Sequence, residues 1–296
     1  MIALFIVNPV AGDGSQENLQ REVEDYASDR DLTCYFLETT GEQDPDRIRQ
    51  ALKQYRPDIA FACGGDGTVN MLGTILRGTS ITLGIIPRGS ANGLATELQL
   101  PYNVPNCLDV LLSGPRIQLD SLIINETHDC LHLADVGYNA QLIHDFEALE
   151  ERGKIGYAKG FLRTMRRRPT ATMVYPGSSG KKARRIIMAV FANARMYGTG
   201  AIINPDGRLN DEKFELVLFR PWPRWYFLYL GLLSITGRIK ASGYVEIITR
   251  SKLQVTLQNP LPLQIDGEPM GKVFKLSVKV SKEKIALAVP ASYDSF

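Results

Sequence analysis

Residues 58–76 read DIAFACGGDGTVNMLGTIL. The apolar run at 59–63 predicts a strand buried on both faces, and the residues from Val69 onward predict a helix. Between them lies Gly64-Gly65-Asp66-Gly67, where glycine permits a tight turn and the N–H groups at a helix N-terminus attract an anion. The expected ligand is a phosphate group, with Mg²⁺ or a hydroxyl proton between it and the Asp66 carboxylate. The alternative is a plain turn with an aspartate cap.

This motif lies in the first of two regions of the chain that differ in pattern. Over 2–98, short apolar runs alternate with amphipathic stretches, which indicates βαβ units and a parallel sheet. Further along, starting with an apolar run at 117–125, the runs are β-rich and punctuated by Gly, Pro and Asn. Helical patterns interrupt this second region at 141–165 and 224–235. We therefore predict a Rossmann-like α/β domain at 1–116 and a β-sandwich domain at 117–296, and leave open that the last residues pack on the first domain.

Composition narrows the class of protein. The chain has 296 residues, of which 44% are hydrophobic and 22% charged, too apolar a balance for a disordered chain. Its net charge of +2 is far from the basic balance of a nucleic-acid-binding protein. Four cysteines without paired spacing favour a reducing compartment, and the apolar stretch 225–233 is shorter than the roughly 20 residues needed to span a bilayer. We expect a cytoplasmic protein, soluble or peripheral at the inner membrane surface, with no nucleic-acid partner.

Two further polar turns follow predicted strands. The first strand ends in Asn8-Pro9-Val10-Ala11-Gly12, and the fourth ends in Pro87-Arg88-Gly89-Ser90-Ala91-Asn92-Gly93. Because ligands bind at the carboxyl ends of parallel strands, we expect these loops to converge with the glycine turn on one site. Taken singly, Ser90 and Asn92 fit helix caps equally well. The chain contains no Walker pattern, and no dinucleotide-binding glycine pattern follows a strand.

Several segments carry a resemblance to a known family. They are Asn8-Pro9-x-x-Gly12, Gly64-Gly65-Asp66-Gly67-Thr68-x-Asn70, Pro87-x-Gly89-Ser90-x-Asn92-x-x-Ala95, Gly137-Tyr138-Asn139, Tyr197-Gly198-Thr199-Gly200, Asn204-Pro205 through Asp211 to Glu215, and Ile265-Asp266-Gly267-Glu268-Pro269. In order and spacing they resemble the motifs of the diacylglycerol kinase catalytic-domain family, which includes bacterial lipid kinases and sphingosine kinases. The resemblance covers essentially the whole chain.

The resemblance implies a nucleotide-binding α/β domain and a β-sandwich that supplies a lipid cleft. It implies that ATP is lined by Asn8, Pro9, Gly12, Thr40, Gly64, Gly65, Asp66, Gly67, Thr68, Asn70, Gly89 and Ser90. Asp66 matches the residue that organises metal and phosphates, and Glu268 matches the proposed base for the lipid hydroxyl. Asp211, with backbone carbonyls near Arg208 and Lys213, matches a structural Mg²⁺ site.

The sequence departs from the family pattern at five positions. Met71, Ser90, Gly93, Glu212 and Glu215 stand where many relatives have Glu, Thr, Asp, Gly and Asp respectively. The Ser90-Ala91-Asn92-Gly93-Leu94-Ala95 form is similar to that of the sphingosine-kinase branch, so the lipid acceptor stays open. We expect Glu212 to distort the metal loop if that loop needs the backbone freedom of glycine.

Other candidate residues have weaker patterns. His128, Cys130 and His132 alternate, which would place them on one face of a strand like metal ligands, but without a fourth ligand we expect packing residues. Two segments fit either membrane contact or a structural role: the arginines Arg163, Arg166, Arg167 and Arg168, and the aromatic residues Trp222, Trp225, Tyr226, Phe227 and Tyr229.

We expect an ATP- and Mg²⁺-dependent lipid kinase that phosphorylates a hydroxyl of a membrane lipid such as diacylglycerol or a sphingoid base. A homodimer is left open. One rival is an NAD kinase, which would need an Asn-Glu pair in its β domain, and Asn125-Glu126 is such a pair at a strand end. A rival of another class is a non-catalytic nucleotide or lipid sensor, suggested by Met71 and Glu212.

Overall fold

A computed structural model describes the chain in six ranges, 1–11, 16–89, 92–147, 169–177, 180–223 and 225–293. The chain folds as two compact units. Met1–Ser121 and the residues that follow Ser281 form the first unit, and Leu122–Ser281 forms the second. No helix within the described ranges is both long enough and apolar enough to cross a bilayer.

The first unit alternates strands and helices, as predicted. Its elements up to the boundary are β1 (Ile2–Val7), α1 (Gln16–Ala27), β2 (Thr33–Glu38), α2 (Asp44–Tyr55), β3 (Ile59–Gly64), α3 (Asp66–Leu76), β4 (Thr82–Pro87), α4 (Gly93–Glu97), α5 (Val104–Ser113) and β5 (Arg116–Leu119).

The second unit is dominated by β-strands. Its elements are β6 (Leu122–Ile124), β7 (His128–Cys130), β8 (Leu133–Gly137), α6 (Tyr138–Glu147), β9 (Ala171–Gly177), β10 (Gly180–Ile186), β11 (Met188–Ala192), β12 (Phe214–Phe219), α7 (Tyr226–Ile235), a short 3₁₀ helix (Ile239–Ala241), β13 (Val245–Arg250), β14 (Lys252–Ile265) and β15 (Glu268–Val280). The last strand, β16 (Ile285–Ala288), belongs to the first unit.

The sheet of the first unit has the order β2-β1-β3-β4-β16-β5. Strands β1 to β4 are mutually parallel, and β16 runs parallel to β4 and antiparallel to β5. All residues of β3 are buried, and Phe5 stacks on Phe61 with ring centroids 4.9 Å apart. The continuous apolar runs thus form strands covered on both faces, as their composition predicts.

The sandwich of the second unit is built around two long strands. β14 pairs with β15 along most of its length, while its two halves also pair with β9 and with β8. Register irregularities between Thr256 and Leu261 and between Pro262 and Gln264 mark where the strand changes neighbours. Side chains from both layers, including Tyr175, Phe191 and Phe214, form the buried core.

The structure differs from the predicted domain limit near residue 117. The apolar run 117–125 is two strands in different sheets, because β5 pairs with β16 and the chain then passes Asp120-Ser121 into β6. The first unit therefore extends to Ser121, and it also contains the segment after Ser281, as the sequence left open for the last residues. The helical pattern at 141–165 begins as α6, and the part beyond residue 147 lies outside the described residues.

Candidate functional site

The predicted phosphate site lies where the parallel strands of the first unit end. β1 and β3 are neighbours in the sheet. The chain that follows β1 leads to β2 on one side of this pair, and the chain that follows β3 leads to β4 on the opposite side. In open α/β sheets the crevice at such a reversal is where ligands bind. Backbone hydrogen bonds continue the pairing into the loops, from Asn8 N to the Cys63 carbonyl and from Arg88 N to the Gly64 carbonyl, both 3.0 Å. The three predicted loops therefore start side by side.

The glycine turn is shaped by close packing. Gly65 is extended and precedes the first residue of α3, Asp66, which is half-buried. A Cβ atom on Gly64 would lie 2.4 Å from Oγ1 of Thr68, so only glycine fits there. Thr68 itself is buried, which gives its side chain a packing role beside the predicted nucleotide role. Gly67 is exposed and Asn70 is half-buried on the same helix.

The Asp66 carboxylate ties the glycine turn to the third loop. Its Oδ1 accepts a hydrogen bond from the backbone N–H of Gly93 at 2.7 Å. Asn92 closes that loop: the Gly89 N–H donates to Asn92 Oδ1 at 2.9 Å, and Asn92 Nδ2 donates to the Gly89 carbonyl at 2.7 Å. Asn92 is thus a loop-closing residue whose side chain makes no cap hydrogen bond to α4. Ser90 lies outside the described residues.

Two further loops border the same edge of the sheet. Asn8 Oδ1 accepts from the N–H of Val10 at 3.1 Å, which turns the chain after β1, whereas Gly12 lies outside the described residues. After β2, the buried Asp44 carboxylate accepts from the N–H groups of Thr40 and Gly41. Burial alone would raise the pKa of Asp44, but these hydrogen bonds and the Arg47 side chain lower it. The Thr40 loop is therefore held by an ionised carboxylate.

In the second unit, the predicted base begins a strand after a tight hairpin. Asp266 and Gly267 link β14 to β15 with φ values of 47° and 90°, as in the two-residue turn for which Asp-Gly is favoured. Glu268 is the first residue of β15 and is exposed. The geometry presents its carboxylate to solvent from a rigid turn.

Asp266, its neighbour in the motif, has a different role. Its buried carboxylate accepts hydrogen bonds from the N–H groups of Leu131, His132 and Leu133 at 2.8 to 3.0 Å. The Cys130 thiol donates to the same group at 3.2 Å. Asp266 thus anchors the hairpin to the segment before β8.

A buried polar network that the sequence analysis did not identify supports this hairpin. Asp135, on β8, is fully buried and accepts from Asn139 Nδ2 at 2.7 Å and from the Tyr197 hydroxyl at 3.1 Å. Gln264 Nε2 also donates to it, and Gln264 Oε1 accepts from the Gly267 N–H at 2.7 Å. Burial raises the pKa of Asp135 to about 6, against the lowering effect of its donors. A signal was present in the sequence, since this acid interrupts the apolar run of β8.

The predicted metal loop contains oxygen ligands but shows no carboxylate cluster. Asp211 Oδ1 accepts from the Lys213 N–H at 3.1 Å, Arg208 is exposed, and Glu212 has φ 61°, a conformation that favours glycine. Glu215 is buried and accepts from Asn204 Nδ2 at 2.7 Å. A carboxylate with backbone carbonyls is a ligand type that suits Mg²⁺. Within the described ranges, however, no three His, Cys, Asp or Glu side chains form a metal-binding group, and the magnesium site stays a prediction.

Within the part of the chain that the structure describes, His128, Cys130 and His132 belong to no group of three possible metal ligands. β7 ends at Cys130, so His132 lies beyond the strand. Burial and the neighbouring Asp266 carboxylate raise the pKa of the Cys130 thiol well above its ordinary value, which disfavours the thiolate that a metal requires.

Comparison with known proteins places this geometry in a kinase class. Residues 2–124 match the family model described as "Diacylglycerol kinase catalytic domain", and residues 134–289 match "YegS C-terminal NAD kinase beta sandwich-like domain". The chain belongs to the family that combines these two domains, and it is lipid-kinase-like.

Named relatives agree with this assignment, and solved structures share the fold. A Klebsiella pneumoniae protein named "Probable lipid kinase YegS-like" is 24% identical over 93% of this chain and 92% of its own length. A protein of the same name from Yersinia enterocolitica is 24% identical over 84% of this chain and 86% of its own. The fold is similar to a diacylglycerol kinase structure from Bacillus anthracis, with a TM-score of 0.70, 15% identity and coverage of 97% and 96%. An NAD kinase from Archaeoglobus fulgidus in complex with ATP has a TM-score of 0.56 at 12% identity, covering 98% and 94%.

Proposed function

We propose that this protein transfers the γ-phosphate of ATP to a hydroxyl group of a membrane lipid, diacylglycerol or a sphingoid base, at the inner surface of the membrane. The observation that carries the proposal is the position of Asp66. This acid begins α3 at the strand-end edge of the sheet, and the Gly93 N–H fixes its carboxylate. Phosphoryl transfer depends mainly on positioning and electrostatics, and a fixed carboxylate in a glycine turn supplies both.

Nucleotide binding is assigned to the first unit. Backbone N–H groups of the glycine turn would bind phosphate oxygens at the N-terminus of α3, and the loops of Asn8 and Gly89 border the same edge. Asp66 would hold Mg²⁺ together with the phosphates, because carboxylate oxygens are preferred ligands of that ion. When bound, the ion neutralises charge that develops on the transferred group.

Glu268, in the second unit, is assigned as the base. The lipid hydroxyl oxygen forms a new bond to the γ-phosphorus while the bond to the bridging oxygen of ADP breaks, and Glu268 accepts the hydroxyl proton. Glu268 is exposed to solvent, and the preceding Asp-Gly turn fixes its position at the start of β15.

The Asn-Glu pair that the NAD kinase alternative would use is engaged in contacts within the second unit. Asn125 and Glu126 occupy the turn between β6 and β7 with φ values of 50° and 64°. Asn125 Oδ1 accepts from the Ser277 N–H at 3.0 Å, and Glu126 forms an ion pair with Lys279. Both side chains connect the β6–β7 turn to β15, so this pair does not support recognition of a ribose.

The test is a kinase assay with the full chain, labelled ATP, Mg²⁺ and a total lipid extract in detergent, followed by identification of the labelled product by mass spectrometry. We expect a phosphorylated lipid, absent when the Asp66→Asn variant replaces the wild type. Phosphorylation of NAD under the same conditions would establish the NAD kinase instead. Saturable ATP binding by calorimetry without any consumption of ATP would establish a sensor.

A further inference from the structure

Helix α7 exposes an apolar face on the second unit. Leu230 and Leu233 point inward and are each 5% exposed. The opposite face carries large apolar side chains at helical spacing, Trp225 (73% exposed), Leu228 (81%), Tyr229 (44%), Leu232 (57%) and Ile235 (73%). Contiguous exposure of this kind marks an interaction surface rather than ordinary surface variation. We call these five residues the α7 face.

Aromatic side chains fix the α7 face in place. Tyr226 packs edge-on against Tyr229 and Tyr244, with centroid distances of 5.1 and 4.8 Å, and its hydroxyl lies 3.3 Å from Ser242 Oγ. Trp222, for which the sequence left membrane contact and a structural role open, is buried against Phe219 and belongs to the core. Trp225 and Tyr229 remain as exposed rings with polar tips, the type of side chain enriched at the headgroup level of membranes.

The chain segment that contains α7 carries charged residues of one sign only. Residues 216–245 contain no Asp or Glu and four basic residues, Arg220, Arg224, Arg238 and Lys240. Arg238 is exposed three residues after the helix, Arg220 donates to the Gly243 carbonyl, and Lys240 forms an ion pair with Asp206. An apolar helix face bordered by basic residues is complementary to a surface that is negatively charged outside and apolar beneath.

We propose that the α7 face docks on an anionic lipid bilayer, with Leu228 and Leu232 entering the acyl region and Arg238 near the headgroups. The proposal rests on the proposed function in one respect, that the acceptor is a membrane lipid. A second copy of this chain fits less well as the occupant. A symmetric pair of α7 faces would bring two sets of basic residues together, and the segment 216–245 offers no acid to pair with them. The arginines from Arg163 to Arg168 lie outside the described residues.

The test is sedimentation of the full chain with vesicles of equimolar phosphatidylglycerol and phosphatidylcholine, without nucleotide. We expect Leu228→Asn with Leu232→Asn to weaken binding at least about tenfold at low and high salt, because both remove apolar burial. Arg238→Gln should weaken binding about fivefold at low salt and have no effect at high salt, where screening removes its contribution. Trp225→Ser should weaken binding, while Tyr102→Ser, on a ring 70% exposed in the first unit, should match wild type.

Three results would overturn the proposal. The first is a wild-type protein that does not bind these vesicles, and the second is a leucine double variant that binds them as tightly as wild type. The third is a dimer that forms without lipid in sedimentation velocity and is lost in the leucine double variant, together with no binding to vesicles. Failure of the proposed function would look different. A protein that binds vesicles through the α7 face but phosphorylates no lipid refutes the function alone, whereas phosphorylation of detergent-dispersed lipid without vesicle binding refutes the docking surface alone.

Discussion

Replacing Asp135 with Asn should change how the stability of the second unit depends on pH. Asp135 is fully buried on β8, and burial raises its pKa from an ordinary 3.8 to about 6. Because the folded-state pKa lies above the unfolded one, the folded unit holds the proton more tightly. This contribution to stability is complete below the unfolded pKa and is lost as pH rises through about 6.

This pKa shift corresponds to about 3 kcal/mol of free energy of unfolding, which is lost between acid and neutral pH. Between about pH 5 and about pH 7.5 the linkage relation gives a loss of roughly 1 kcal/mol from this carboxyl. Asp135→Asn removes the titrating group, so the variant should lose roughly 1 kcal/mol less than wild type over that interval. Contributions from other titrating groups cancel in the comparison.

Urea unfolding followed by tryptophan fluorescence measures this difference. The chain has two tryptophans, Trp222 and Trp225, and both belong to the second unit, so the signal reports the unit that contains Asp135. Glu268→Gln, at an exposed acid of the same unit, is the matched control and should keep the wild-type pH dependence. If wild type and Asp135→Asn lose the same stability to within about 0.3 kcal/mol, the raised pKa of Asp135 is wrong.

Three other outcomes are expected. Asp66→Asn should lower turnover at least about 10²-fold. The melting temperature should not change, since the amide oxygen of asparagine can still accept from the Gly93 N–H. Turnover above about a tenth of the wild-type value would contradict the proposed role of Asp66. Glu268→Gln should lower kcat for the lipid, while calorimetry shows an unchanged affinity for a non-hydrolysable ATP analogue. A loss of affinity for the analogue with a normal kcat would place Glu268 at the nucleotide instead. Asp266→Ala should reduce the free energy of unfolding of the second unit by about 3 kcal/mol, because three N–H groups lose their acceptor. A loss under about 1 kcal/mol in urea titrations would contradict the anchoring role of Asp266.

Local chemistry allowed much of the first unit to be predicted. The strand, glycine turn and helix at 58–76 follow from apolar runs and glycine alone, and the structure contains β3 and α3 there. The loops at Asn8 and Gly89 start beside the glycine turn because neighbouring parallel strands end at the same edge of a sheet. This holds for any parallel sheet, so it could be predicted. Their roles toward ATP stay predictions.

The second unit was harder to predict because its key contacts join distant residues. Asp266 sits beside Glu268 in the sequence, and only the fold shows that its carboxylate is occupied by N–H groups more than 130 positions away. Asp135 depends on Gln264 and Tyr197 in the same way. Single-sequence patterns report strand and turn formation but carry no information on which strand lies opposite.

Strand β16 gives the first unit an unusual order of assembly during synthesis. It lies between β4 and β5, yet the ribosome produces it about 200 residues after Pro87. At 5–20 residues per second this is a delay of roughly 10 to 40 s, during which the apolar edge of β4 has no partner strand. Nascent chains would need a chaperone to protect that edge from aggregation. The unit that carries Asp66 is therefore translated first and completed last.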